Sequence, residues 1–288
     1  MLVVESAPSS SSQPARPLPR GLEGWEARFD PIGLPVLAAT AAQIESLRLI
    51  EDAVDAHLLG EAIGGDPLMS LKLMAHLARL RRGREGGEPE TPTAALLMLG
   101  IPPFFAAFAA LETVEERLAG QPAALEGFRA VLHRSHRAAR FAMGFAAHRM
   151  DHDAGVIRDA ALLHDFADLL LWLEAPTVAL EMARRQRAEP TLRSVTLQRD
   201  CLGFELAELQ HHLMRAWRLP ALWISVTDDH APRGTPQHAN VRLAVRVARH
   251  SASGWDNAAL PDDFADIGAL LQLSPLHAER LVRDIDAG

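Results

Sequence analysis

The chain has 288 residues, 48% of them hydrophobic, with 29 basic against 37 acidic side chains and a net charge of −8. That is enough apolar material for one large core or two small ones. The acidic balance removes the electrostatic footprint of a protein whose main ligand is nucleic acid. A single cysteine, Cys201, excludes an intramolecular disulfide and a cysteine-based zinc site, and it reads as a small packed hydrophobe.

No run approaches the roughly 18 apolar residues of a membrane span, and the N-terminus lacks the basic-then-apolar order of a signal peptide. Membrane insertion is therefore not expected, and the cytoplasm is the expected compartment. Ala and Leu dominate the apolar set, Tyr is absent, and no long stretch alternates β-branched with polar residues, so the fold class expected is all-α.

In chain order, residues 1–24 carry a serine run and Pro8, Pro14, Pro17 and Pro19, a composition that predicts a flexible leader. From Asp30 short helices follow, separated by Pro and Gly. Asp66-Pro67 predicts a helix start, because Asp66 can accept from free first-turn amides and Pro67 suits a position that needs no amide hydrogen. That helix carries Leu71, Leu73, Met74, Leu77 and Leu80, and includes Lys72, the only lysine. Arg81 to Glu90 reads as a solvated loop. Thr91 caps a short helix that ends at Leu99-Gly100, where glycine can take the left-handed cap conformation. Another helix is expected from Phe104 to about Leu118. A long one begins at Pro122, with Leu125, Phe128, Leu132, Ala139, Ala142 and Ala146 at helical spacing.

Asp159 to Leu173 is almost continuously apolar and lacks Gly, Pro and β-branched residues, so it predicts one buried helix of about four turns. His164 and Asp165 sit inside it. Burying an imidazole beside a carboxylate demands hydrogen-bond partners or a metal ion. Further helices are expected at Phe204–Trp217, at Asn240–Ser253 and from Ile267 to Ile285.

The order of these features resembles the HDOD family, the HD-related output domain, a bacterial signal-transduction relative of HD-type metal-dependent phosphohydrolases. The residues that carry the resemblance begin with Leu34-Pro35, Ile63-Gly64-Gly65-Asp66-Pro67-Leu68 and Ala95-Leu96-Leu97-Met98-Leu99-Gly100. They continue through Ser135 with Ala139, Leu162-Leu163-His164-Asp165, Trp217-Arg218-Leu219-Pro220, Asp229-His230-Ala231-Pro232 and Val241-Arg242-Leu243-Ala244. The resemblance implies two helical lobes in one domain over residues 25–288, with an N-terminal lobe over 25–120 and an HD-like bundle over 121–288. It implies regulatory output more than catalysis. Because a leader of about two dozen residues leaves no room for a receiver, kinase or cyclase segment, a stand-alone module is expected, and one that binds a protein partner or a small regulatory ligand.

In relatives that keep a metal, the ligands are an early His, the His-Asp pair, sometimes a further His, and a late Asp. Aligned on the motifs above, those positions hold Arg134, Leu206 and Val245 here, so only His164 and Asp165 survive. Arginine cannot ligate a cation. The expectation is a vestigial, metal-free pair, hydrogen-bonded in the interior with Arg134 neutralising Asp165, and no cofactor. Asp168 stands where related hydrolases have lysine. The candidate ligand cleft comprises Arg134, His136, His164, Asp165, Asp168 and His230. The alternative is a divergent phosphohydrolase whose divalent metal is held by His164, Asp165 and a relocated His133 or His136.

Overall fold

A computed structural model describes residues 18–82, 87–189, 191–230 and 234–288. The expected leader up to residue 17, residues 83–86 of the charged loop, Pro190 and the Ala231-Pro232 end of one motif lie outside the described residues. Among the described residues the structure is helical throughout, and its only β pairing is an isolated parallel bridge between Val36 and Thr113. None of its helices is long and apolar enough to cross a membrane.

Helix α1, Gly21–Glu26, begins ahead of residue 25, the expected start of the body. It buries Trp25 edge-on against Phe204 and packs on helix α13, Leu206–Ala216. The first lobe then runs through α2 (Ala38–Arg48), α3 (Ala56–Ile63), α4 (Pro67–Leu80), α5 (Pro92–Leu99), α6 (Ile101–Ala107) and α7 (Val114–Arg117). Asp66 organises it. One carboxylate oxygen accepts from Leu68 N and Met69 N at the start of α4, and the other accepts from Leu37 N at 2.8 Å. This cap therefore also pins the chain entering α2. Asp66 is fully buried, and burial raises its pKa although the three amides favour the charged form. Lys72, one turn along α4, donates from Nζ to the Leu34 carbonyl at 2.6 Å.

The helix expected from Phe104 to Leu118 is two. Arg48 reaches across from α2, and its guanidinium takes the carbonyls of Phe105 and Phe108 at 2.7 and 3.0 Å, so the end of α6 is satisfied from outside the helix. The chain then pairs Val36 N with Glu112 O, and a Thr113–Glu116 capping box starts α7. Gly100 does adopt a positive φ of 87°, but its ψ of 154° makes it an extended joint rather than a left-handed helical cap.

The second lobe is built on α8, Pro122–Arg149. Ala138, Ala142 and Ala146 are buried along it, and these small side chains let α9 (Ala154–Leu163) and α15 (Pro236–His250) pack closely on either side. Helices α10 (Phe166–Glu174), α11 (Pro176–Ala188) and α17 (Pro275–Ala287) complete the layer around it. Helix α12 (Ser194–Leu202) packs on α11, α14 (Ala221–Val226) on α15, and α16 (Leu260–Leu271) between α15 and α17.

At Gly127 a Cβ would fall 2.3 Å from the buried indole ring of Trp172. Gly127→Ala is expected to lower stability by about 1–3 kcal/mol in urea denaturation, as overpacking against a ring in the core does. An unchanged midpoint would show that the indole can withdraw freely.

Candidate functional site

The apolar stretch from Asp159 to Leu173 is not one helix. Helix α9 ends at Leu163, and His164 and Asp165 form the joint before α10, with Asp165 at φ −109° and ψ 21°. On a continuous helix two adjacent side chains diverge by about 100°. The break brings them together instead, and His164 Nδ1 lies 3.1 Å from Asp165 Oδ1. Both residues are buried, at 5% and 7% exposure.

Three other elements converge on this joint. From α8, Arg134 donates from Nε to Asp165 Oδ2 at 3.1 Å and from Nη2 to Asp168 Oδ2 at 3.0 Å. From α15, Arg249 donates from Nη2 to Asp165 Oδ1 at 2.6 Å. From the turn after α14, Asp229 Oδ1 stands 3.1 Å from His164 Nε2. Three carboxylates, two guanidinium groups and one imidazole thus meet around the joint.

Their protonation follows from mutual pairing. Burial opposes a charge on His164, but hydrogen bonds to Asp165 and Asp229 outweigh it and push its pKa up to about 9. An imidazole between two ionised carboxylates must donate from both nitrogens, so it is an imidazolium at neutral pH. Burial likewise opposes the charge on Asp165, yet Arg249 and Arg134 hold its pKa well below the usual carboxylate range. Asp229 shows the same balance, with burial outweighed by the bond from His164 and the pKa lowered. At Asp168 burial wins over Arg134, and the pKa rises. With every group ionised, the three negative charges of Asp165, Asp168 and Asp229 face the three positive charges of Arg134, Arg249 and His164.

Of the expected cleft residues, Arg134, His164, Asp165 and Asp168 come together. His136 and His230 do not. His136 is two residues from Arg134 on α8, which turns it to another side, and its Nε2 donates to the Gly65 carbonyl at 2.6 Å. The His230 side chain is 63% exposed, and the carboxylate partner found for it is Glu205, at 4.0 Å. His133, offered with His136 as a relocated ligand, is exposed on α8.

Asp229 and Arg249 were missed by sequence reasoning. Asp229 belongs to the Asp229-His230 motif, where the histidine drew attention away from the carboxylate beside it. Arg249 lies one helical turn beyond Val245, the position that would hold the late aspartate. A cation one turn on from a missing carboxylate was the available signal.

The residues present do not fit a divalent cation of the HD type. Both oxygens of Asp165 accept from guanidinium groups, and both nitrogens of His164 are turned to carboxylates. Leu206 and Val245 are buried apolar side chains. Among the described residues, no group of three or more His, Cys, Asp or Glu side chains is arranged to hold a metal ion.

Fold and motifs together are those of a helical HD-related domain. The HDOD domain matches the chain over residues 34–232, and the protein belongs to the HDOD family. Among solved structures it is similar to the MmoQ response regulator of Methylococcus capsulatus, at 22% identity and a TM-score of 0.66, covering 86% of this chain and 97% of that one. It is also similar to a virulence factor of Campylobacter jejuni, at 15% identity and a TM-score of 0.62, covering 92% and 96%. At these identities the likeness is one of fold. No curated protein matches the chain in sequence.

Proposed function

We propose that this HDOD protein is a cytoplasmic signalling output module without hydrolytic chemistry, which takes no metal and acts by binding a protein partner or a small regulatory ligand. One observation carries the proposal: the guanidinium groups of Arg134 and Arg249 occupy both oxygens of Asp165, where a metal-dependent hydrolase needs free ligand lone pairs. HD-type hydrolysis uses a divalent cation to polarise a phosphoryl oxygen and to lower the pKa of bound water. Here the charge that such an ion would bring is supplied by side chains that neither polarise a substrate oxygen as a Lewis acid nor activate water. The likeness in fold to a response regulator supports a regulatory role.

The test is hydrolysis of bis(p-nitrophenyl) phosphate and of cyclic dinucleotides with Mn²⁺, Mg²⁺ or Fe²⁺ added. The proposal expects no turnover above that of Asp165→Ala. Metal-dependent turnover that disappears in Asp165→Ala would overturn it.

A further inference from the structure

A second cleft lies away from the His164 joint, between α8, α9, the end of α17 and the Gly64-Gly65 turn that joins α3 to α4. Its volume is about 570 Å³, within the size range of small-molecule sites. His136, Arg140 and Arg158 supply its polar side chains, and Met143, Leu162 and Ile285 are prominent in its apolar wall. No acidic side chain and no Phe, Tyr or Trp lines it. On a protein of net charge −8, a cleft with two arginines and no lining carboxylate is a local reversal of sign.

The two arginines are unequally committed. Asp286 gives its oxygens to Arg137, at 2.7 and 2.8 Å, and stands 3.4 Å from Arg140, whose side chain keeps 45% of its surface exposed. Arg140 is therefore largely free to meet another anion. Arg158 pairs with Asp159 at 2.8 Å through Nη1, and through Nη2 it donates to the Gly64 carbonyl at 2.6 Å. The wall offers no Phe, Tyr or Trp face to stack on and no side-chain carboxylate or amide, and its one ring, the His136 imidazole, is tied to the Gly65 carbonyl. It offers branched and thioether side chains, which suit a flexible hydrocarbon.

We propose that this cleft binds a small amphipathic anion, an aliphatic chain with a carboxylate or phosphate head, the head at Arg140 and Arg158 and the chain along Met143, Leu162 and Ile285. The consequence for signalling rests on the regulatory role proposed above, whereas the binding does not. His136 and Arg158 hold the two glycine carbonyls that join the lobes, and Leu162 lies two residues before His164. An anion that draws on Arg158 competes with the Gly64 carbonyl for it, and so loosens the grip of the second lobe on the first.

Isothermal titration of the full chain with decanoate, decyl phosphate, acetate and decylammonium, below their micellar concentrations, tests this. Decanoate or decyl phosphate is expected to bind one to one, the tighter of the two identifying the head group, with acetate and decylammonium not binding. Arg140→Ala is expected to weaken binding about tenfold, as loss of a charge-assisted hydrogen bond does. Met143→Trp, which fills the cleft, should abolish binding while the far-ultraviolet dichroism stays native. Equal binding of decylammonium, an Arg140→Ala variant with unchanged affinity, or no binding of either decyl anion would overturn the proposal. A failure here leaves the hydrolysis assay at the His164 joint unaffected, and metal-dependent turnover there would leave this binding result standing.

Discussion

Asp165→Ala is expected to lower stability by about 3–5 kcal/mol in urea denaturation at neutral pH, the range for removing one partner of a buried ion pair. Asp165 is 7% exposed and is the shared acceptor of Arg134, Arg249 and His164. Without it, three cationic groups face only Asp168 and Asp229. The loss comes from the cations left behind more than from the net worth of any one bond, so it is recoverable. Adding Arg134→Met to Asp165→Ala should restore much of it, and adding Arg249→Met as well should restore little more, because the Arg249 side chain is 44% exposed and is solvated without its carboxylate. A loss below about 1 kcal/mol for Asp165→Ala would place the joint in solvent and remove its structural role.

The second large effect is in alkali. The folded-state pKa of His164 is raised to about 9 from an ordinary 6.5. Its charge thus contributes stability that is fully present below about pH 6.5 and is lost as pH rises through 9, since the unfolded chain gives up this proton earlier. For a group this deeply buried the contribution is about 3 kcal/mol by proton linkage. Asp165 acts in the opposite sense: its lowered folded pKa makes a contribution that is present at neutral pH and is lost only as pH falls into acid. Urea midpoints of wild type and His164→Gln across this alkaline window separate His164 from other titrating groups such as Lys72. The wild type should lose stability relative to the variant as pH rises. Parallel curves would mean that the imidazole is not charged between its two carboxylates.

Much of this architecture is legible in the sequence. The Asp66-Pro67 start of α4 and the length of α8 follow from capping chemistry and apolar spacing, which are local. The pairing of Arg134 with Asp165 was also expected, from the motif positions around the missing metal ligands. What local pattern could not show is the break at His164, because the residues on both sides favour helix. The joint is held by cross-chain bonds from α8, α15 and the Asp229 turn, separated from it by 31, 84 and 65 residues. The split between α6 and α7 has the same origin, since the partner of the Phe105 and Phe108 carbonyls is Arg48, far back in the chain. His136 was grouped with the wrong cleft because its separation from Arg134 along the sequence is small, although on a helix two positions apart means nearly opposite directions.

The central claim is that Arg134 and Arg249 supply, at Asp165, the positive charge that a metal would otherwise bring. It is tested most directly by urea denaturation of the wild type with and without Mn²⁺, with Asp165→Ala as the control. A ligand that binds only the folded state raises stability by mass action. The prediction is that the wild-type midpoint does not move with Mn²⁺. A Mn²⁺-dependent rise in the wild type that vanishes in Asp165→Ala would contradict it.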